Sequence, residues 1–198
     1  MTRLLLVRHA HHDWIGRGIA GRRPDVHLNE AGRREADGLV RRLAGEQIAA
    51  VYSSPQPRTQ ETAAPLCSAR GLTVRPAPEF DEVDFGRWEG LTFADLEREH
   101  TAGWNQWVER RSTSTPPAGE SFAGVQRRAL KGIERLCSEH PEETVVVVSH
   151  GDVMKAVVAE QLGMSLDALE RFDIATASLT IIERGRGWSQ LKLLNGLD

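Results

Sequence analysis

The sequence predicts an α/β protein, built as a three-layer sandwich with a mostly parallel central sheet and helices on both faces. The run Thr144–Val148 is dominated by β-branched residues, which is typical of a central strand covered on both sides. Short apolar runs also alternate with segments of helical periodicity along the chain. This alternation favours parallel strands that are joined by helical crossovers.

The first strand is predicted at Arg3–Val7, a short apolar run that ends at the charged pair Arg8 and His9. Asn29 can then cap a helix, because its side chain can accept a hydrogen bond from a free N–H of the first turn. The apolar residues of this helix follow at helical spacing, at Ala36, Leu39, Val40 and Leu43.

A second strand is predicted at Ala50–Tyr52, where Ser53-Ser54-Pro55 stops it. A helix is expected from about Arg58 to Arg70. We expect Pro65 to bend this helix or to delay its start, because proline lacks an N–H and its ring clashes with the preceding turn. Leu72–Val74 is the third predicted strand.

The region from about 84 to 120 differs from the rest of the chain. The stretch 80–119 carries three of the five tryptophans, and it closes with the loop Ser112–Glu120. We interpret 84–120 as a substrate-side insertion in a single domain spanning 1–198, with a mobile loop at its end. Its tryptophans are expected to form a small core, although Trp88 and Trp104 could instead line the substrate side.

In the second half, Ser121 is a candidate N-cap for a helix with one apolar face, which precedes Thr144–Val148. That strand ends at Ser149-His150-Gly151, and another helix follows. Two final strands are predicted at 177–183 and 188–194, around a turn at 184–187. An edge strand in this last region could pair between subunits, so a homodimer is possible.

Composition excludes several classes of protein. The 198 residues carry 25 Lys and Arg against 28 Asp and Glu, a net charge of −3, so no general basic surface is expected to recruit nucleic acid or an anionic membrane. The apolar run Leu4–Val7 is too short for a signal peptide or a membrane span, and the cytoplasm is the expected compartment. Cys67 and Cys137 lie among apolar neighbours and are expected to be small buried hydrophobes rather than a disulfide.

Charged residues fall where predicted strands end. Arg8 and His9 follow the first strand, Arg58 comes shortly after the second, and His150 follows Thr144–Val148. Ligands of open α/β sheets bind beyond the carboxyl ends of the strands. If these strands are neighbours, two arginines and two histidines converge there, and a phosphate dianion is the partner that would compensate their burial.

Four segments of the chain resemble the histidine phosphatase superfamily, the phosphoglycerate mutase-like proteins. They are LLLVRHA at 4–10, YSSPQPRTQETA at 52–63, FDEVDFGRWEG at 80–90 and VVVVSHGDVMKAV at 145–157, with a weaker match, VHLNEAGRREA, at 26–36. They follow the order of the family. Each motif alone is weak, but the four in order make a strong match.

The resemblance implies that His9 attacks phosphorus and forms a phosphohistidine, which water then cleaves. It implies that Arg8, Arg58 and His150 bind the phosphoryl oxygens, and that Glu82 protonates the leaving oxygen and then activates water. It implies no metal and no other cofactor.

Several positions depart from the family pattern or extend it. Ala10 stands where the family usually has glycine, and it would be strained if that position needs a positive φ. The residues His11-His12-Asp13 replace the usual polar residues of this loop, and His11 and His12 are expected to contact substrate or line the pocket mouth rather than hold a metal. Further candidate substrate-binding residues are Arg22, Asn29 and Gly151.

The function predicted from these residues is that of a phosphomonoesterase acting on a small phosphorylated metabolite. One alternative is a mutase of the phosphoglycerate mutase type, which would depend on a bisphosphorylated cofactor. Another is a non-catalytic module that binds phosphoryl ligands. A metal-dependent or redox hydrolase would lose activity with a chelator, whereas the predicted phosphatase would not.

Overall fold

The computed structural model describes residues 1–197, and in this range six strands form a single sheet in the order β3-β2-β4-β1-β5-β6. The strands are β1 (Thr2–Arg8), β2 (Ile48–Ser53), β3 (Val74–Pro76), β4 (Thr144–Ser149), β5 (Leu179–Gly185) and β6 (Trp188–Gly196). The helices are α1 (Glu30–Arg42), α2 (Pro57–Arg70), α3 (Phe93–Glu99), α4 (Thr101–Glu109), α5 (Phe122–Glu139) and α6 (Gly151–Gln161).

The four strands β3, β2, β4 and β1 run parallel, while β5 and β6 are antiparallel to their neighbours. The predicted α/β sandwich with a mostly parallel sheet is therefore confirmed. The central pair is β1 and β4, in which Val7 lies beside Val148 and Arg8 beside Ser149. This register places the residues that follow the two strands, His9 and His150, at the same edge of the sheet.

Two apolar cores lie on opposite faces of the sheet, because alternate side chains of a strand point to opposite sides. Leu5 and Val7 pack with Leu39 of α1 and Leu66 of α2 on one face. Leu4 and Leu6 belong to the other core, to which α5 and α6 contribute residues such as Ile133 and Val157. Because both faces are covered, the central strands are apolar along their whole length, as β4 shows.

The ends of several elements differ from the prediction. The third strand lies at Val74–Pro76 instead of Leu72–Val74, because Leu72 belongs to the C-terminal cap of α2 and its N–H bonds to the carbonyl of Cys67. The start of α2 is not delayed by Pro65: the helix begins at Pro57 and continues through Pro65 to Arg70. Pro57 fits the first turn, because a missing N–H would have no partner within the helix at that position.

Strand β5 begins and ends two residues later than the predicted 177–183, and β6 begins at 188 as predicted but ends two residues later. Ala177 cannot begin a strand, because its φ is 51° and its N–H bonds to the carbonyls of Arg8 and His9. The β5 strand therefore starts at Leu179.

Residues 84–120 contain α3 and α4 and pack into the core that includes α5. Trp88 and Trp107 are buried and contact each other edge to face, and the ring of Trp107 also contacts that of Phe122 of α5 at a tilt. Trp104 contacts Trp88 in the same way, so these rings form packing contacts. The loop predicted to be mobile is held at one end by hydrogen bonds from Ser112 to Asp167.

The two cysteines are free, with Cys67 buried and Cys137 half-buried, and burial raises the pKa of both thiols. Across residues 1–197, no helix is long and apolar enough to cross a membrane.

Candidate active site

A cavity of about 180 Å³ lies beyond the ends of β1 and β4. Arg8, His9, Arg58 and Glu82 all contribute to its wall. His150 lies directly behind it, with its ring centre 5.3 Å from that of His9. The structure thus brings together the five residues that the motifs singled out, from four separate parts of the chain.

The ring of His9 is held in one tautomer. Its Nδ1 lies 2.9 Å from the carbonyl oxygen of Ala10, which can only accept, so Nδ1 carries the proton. The other ring nitrogen, Nε2, is left with a lone pair. Burial, together with the charges of Arg58 and Arg8, holds the pKa of His9 well below its usual value, so the ring is neutral at physiological pH.

Arg58 and Arg8 both present N–H groups that have no protein partner. Arg58 is fully buried, and its Nη2 donates to the carbonyl of Gly21 at 2.7 Å, but its Nε and Nη1 are unpaired. The Nη1 of Arg8 donates to the carbonyl of Ile174 at 2.5 Å, and its buried Nε is unpaired. Buried guanidinium groups without partners are costly, so an anionic ligand at this position would stabilise them.

His150 is neutral and has the opposite tautomer to His9. The Nη2 of Arg58 lies 3.2 Å from its Nδ1 and can only donate, so Nδ1 accepts. Its Nε2 therefore donates to Ser54 Oγ at 2.8 Å, and Ser54 in turn donates to Asp81 at 3.0 Å. Burial and the Arg58 charge lower the pKa of His150 well below its usual value.

Glu82 lies close to both cationic and neutral partners. Its Oε2 is 3.5 Å from His150 Nδ1 and 3.9 Å from Arg58 Nη2, while Oε1 accepts from the N–H of Val83 at 2.9 Å. Burial first, and then repulsion from Asp152, raise the pKa of Glu82 to about 7. A carboxyl group with such a pKa can give or take a proton near neutral pH.

Two further polar residues line the cavity: His12, which was expected to contact substrate or line the pocket mouth, and Asp152, which the sequence prediction did not include. His12 is buried beside His9, with ring centres 4.9 Å apart. Its Nδ1 accepts from the N–H of Trp14, which leaves Nε2–H as a donor, and burial lowers its pKa to about 3. Asp152 also lines the cavity and is held by Arg111 at 3.1 Å. Its position two residues after His150 was the available signal.

Five predicted substrate-binding residues lie outside the cavity lining: His150, which lies directly behind it, and His11, Arg22, Asn29 and Gly151. The ring of His11 and the side chain of Asp13 contact the amide of Asn29, which caps α1 by accepting from Gly32 N–H. Arg22 binds the backbone of Glu82. Gly151 begins α6, and a Cβ there would lie 3.2 Å from Arg8 Nε.

Ala10 is accommodated without backbone strain. Its φ lies outside the left-handed region, its side chain is fully buried, and its N–H donates to Thr62 Oγ1 at 2.9 Å. This position therefore does not require glycine in the present chain.

Within residues 1–197, no group of three or more His, Cys, Asp or Glu side chains is arranged to hold a metal ion. The charges that face the cavity come instead from Arg8, Arg58, Glu82 and Asp152.

Phosphoserine phosphatase 1 of Hydrogenobacter thermophilus is 34% identical over 92% of this chain and 86% of its own length. The adenosylcobalamin/alpha-ribazole phosphatase of Escherichia coli is 28% identical over 98% of this chain and 95% of its own. A bifunctional protein of Mycobacterium tuberculosis is 38% identical over 98% of this chain, which spans 54% of that longer relative.

Among solved structures, YhfR of Bacillus stearothermophilus superimposes with a TM-score of 0.94 at 30% identity, covering 99% of this chain and 98% of that one. The sequence also matches the histidine phosphatase superfamily (branch 1) over residues 4–196. The four motifs, the sheet topology and these similarities agree, and the chain belongs to the histidine phosphatase superfamily.

Proposed function

We propose that this protein is a phosphomonoesterase that hydrolyses a small phosphorylated metabolite through a phosphohistidine on His9. The observation that carries the proposal is the state of the His9 ring. Its proton is fixed on Nδ1 by the Ala10 carbonyl, and its pKa is well below the usual value. A neutral ring with a free Nε2 beside a cavity is the form that a nucleophile requires.

The first step forms a bond between His9 Nε2 and phosphorus while the bond from phosphorus to the leaving oxygen breaks. Arg8 and Arg58 bind the non-bridging oxygens, where negative charge resides in the transition state. Their unpaired buried N–H groups support this role. Planar guanidinium groups suit it because each can bond two oxygens.

Glu82 supplies the proton. In its protonated form it donates to the leaving oxygen, and the resulting carboxylate then takes a proton from the water that cleaves the phosphorus–nitrogen bond. A pKa of about 7 suits both steps, because the group is then half protonated near neutral pH. Such acid–base catalysis typically contributes ~10²–10⁴-fold.

We further propose that residues outside the phosphate site select the leaving group. Phe85 and Phe93, from the region 84–120, line the cavity together with Trp14, Ile15 and Asp152. Two relatives are named for phosphoserine and for adenosylcobalamin or alpha-ribazole chemistry, so related sites serve different leaving groups. Exchanging residues 84–120 is expected to change relative rates among substrates more than the affinity for phosphate.

The test is phosphate release from p-nitrophenyl phosphate and a panel of phosphorylated metabolites, measured with EDTA and without any bisphosphate. His9→Ala is expected to reduce turnover by several orders of magnitude. The control is His27→Ala, because His27 is exposed and pairs with Glu61. Alkaline quench of the wild type should trap a labelled phosphoenzyme that His9→Ala lacks.

Unchanged turnover in His9→Ala would overturn the assignment of the nucleophile. Loss of wild-type activity in EDTA would instead indicate a metal-dependent hydrolase. Strict dependence on a bisphosphorylated compound would indicate a mutase.

A further inference from the structure

We propose that Arg22 and Arg128, bridged by Glu120, are positioning residues that hold the backbone of Glu82 and thereby aim its carboxyl group at the leaving oxygen. This inference rests on the proposed role of Glu82 as the proton donor. It gives Arg22 a different role from the substrate contact that the sequence predicted.

Glu82 lies in a segment that has no regular structure of its own. Residues 81–85 belong to neither a helix nor a strand. The N–H groups of Glu82 and Val83 are taken up locally, by Asp81 Oδ1 and by the Glu82 carboxylate itself. Backbone of this kind needs partners from elsewhere in the chain to fix its position.

Those partners are two arginines that are distant in sequence. The carbonyl oxygen of Glu82 accepts from Arg22 Nε at 2.8 Å and from Arg128 Nη2 at 2.9 Å. Arg22 comes from the loop between β1 and α1, and Arg128 lies on α5. The two arginines therefore link the backbone of Glu82 by hydrogen bonds to the β1–α1 loop and to helix α5.

Glu120 fixes the spacing between the two arginines. Its Oε2 accepts from Arg22 Nη2 and from Arg128 Nη2, each at 3.0 Å, and its Oε1 accepts from Arg128 Nε at 2.8 Å. The negative charge of the carboxylate thus offsets the repulsion between the two guanidinium groups that bond to one carbonyl. Hydrogen bonds between charged groups of this type are stronger than those between neutral groups.

The same residues fasten the segment on either side of Glu82. Arg128 Nη1 donates to the carbonyl of Glu79 at 2.9 Å, and the N–H of Glu120 donates to the carbonyl of Asp84 at 2.8 Å. Neither Arg22 nor Arg128 lines the cavity, so their removal would act through the position of Glu82 and not through contact with phosphate.

Proton donation matters most when the leaving oxygen is basic, and this gives a selective assay. Phenyl phosphate and p-nitrophenyl phosphate have similar shapes, but phenolate is the more basic leaving group. Displacement of a general acid by about 1 Å can reduce the rate by as much as 10²-fold. We expect Arg128→Met and Arg22→Met to lower kcat/KM for phenyl phosphate at least about tenfold, and for p-nitrophenyl phosphate much less.

Arg127→Met is the matched control, since Arg127 is exposed on the same helix, and it should change neither value. In a Glu82→Gln background, Arg128→Met and Arg22→Met should add almost nothing. Equal losses on both substrates, or losses that persist in Glu82→Gln, would overturn the positioning role. If Glu82→Gln alone lowers kcat/KM equally for phenyl phosphate and p-nitrophenyl phosphate, Glu82 is not the proton donor. That result would contradict the proposed function and is distinct from a failure of the positioning role.

Discussion

At the scale of single residues, the site depends on which ring nitrogen of each histidine carries the proton. The Ala10 carbonyl leaves Nε2 of His9 free, whereas Ser54 and Arg58 leave His150 with its proton on Nε2. His12 accepts from a backbone N–H and can donate from Nε2. Three neutral rings therefore differ in chemistry because their hydrogen-bond partners differ.

The pH dependence of catalysis should report Glu82. Its pKa of about 7 means that the carboxyl is protonated below this pH and becomes ionised above it. For phenyl phosphate, kcat/KM is expected to fall about tenfold per pH unit well above pH 7, and this limb should disappear in Glu82→Gln. A limb that persists unchanged in the variant would assign it to another group.

Ala10 offers a test of backbone conformation. Its φ is compatible with any residue and its methyl group is fully buried, so Ala10→Gly should lower the free energy of unfolding by about 1 kcal/mol. Urea denaturation of both proteins measures this difference. A more stable glycine variant would reveal strain at Ala10.

The residues that follow strand ends could be predicted from the sequence, because the edge of a parallel sheet gathers them. His9, Arg58 and His150 lie together for this reason. The sequence could not predict which of His11 and His12 lines the cavity, because the loop has no periodicity that indicates which side chain points inward. Arg22 illustrates another limit: its partner is a backbone carbonyl 60 residues away, and side-chain patterns do not reveal backbone acceptors.

At the scale of elements, helix α1 presses closely on the loop after β1. A Cβ on Gly32 would lie 2.0 Å from the carbonyl oxygen of His11, whereas a Cβ on Gly38 of the same helix has no atom nearer than 3.9 Å. The spacing of apolar residues predicted this helix but not this close approach. The position of the His11–His12 loop therefore depends on a glycine in α1.

Two alanine substitutions in α1 should have opposite effects. Gly32→Ala is expected to destabilise the protein by about 1–3 kcal/mol and to reduce turnover, because it displaces the loop that carries His12. Gly38→Ala should stabilise it by about 0.5–1 kcal/mol with normal turnover. Thermal unfolding and the p-nitrophenyl phosphate assay measure both effects, and a neutral Gly32→Ala would show that the loop can yield.

The ends of elements were harder to predict than their existence. The cap of α2 takes up Leu72, and the positive φ of Ala177 delays β5. Both effects come from single backbone hydrogen bonds or dihedral angles, which do not alter the pattern of apolar residues.

At the scale of the whole molecule, buried histidines couple stability to pH. The pKa values of His9, His12 and His150 are lowered in the folded state, so below about pH 6.5 the unfolded chain binds more protons at these sites and stability falls. Glu82, with its raised pKa, opposes this trend between its unfolded pKa and about 7. The three histidines together are expected to change stability more than Glu82 does, so the net effect of lowering the pH is a loss of stability.

We therefore expect the urea midpoint to be lower at pH 5.5 than at pH 7.5. Replacing His9 with Asn should reduce this difference, because one depressed pKa is removed. A wild-type midpoint that does not change over this range would contradict the depressed pKa values.

The pairing of β1 with β4 has a consequence for synthesis of the chain. Val7 pairs with Val148, so during translation β1 has no parallel partner until residues 144–149 have been made. During that interval the apolar run Leu4–Val7 exposes a free strand edge, which is a known route to aggregation. The nascent chain is therefore expected to need protection of β1 until residues 144–149 have been translated.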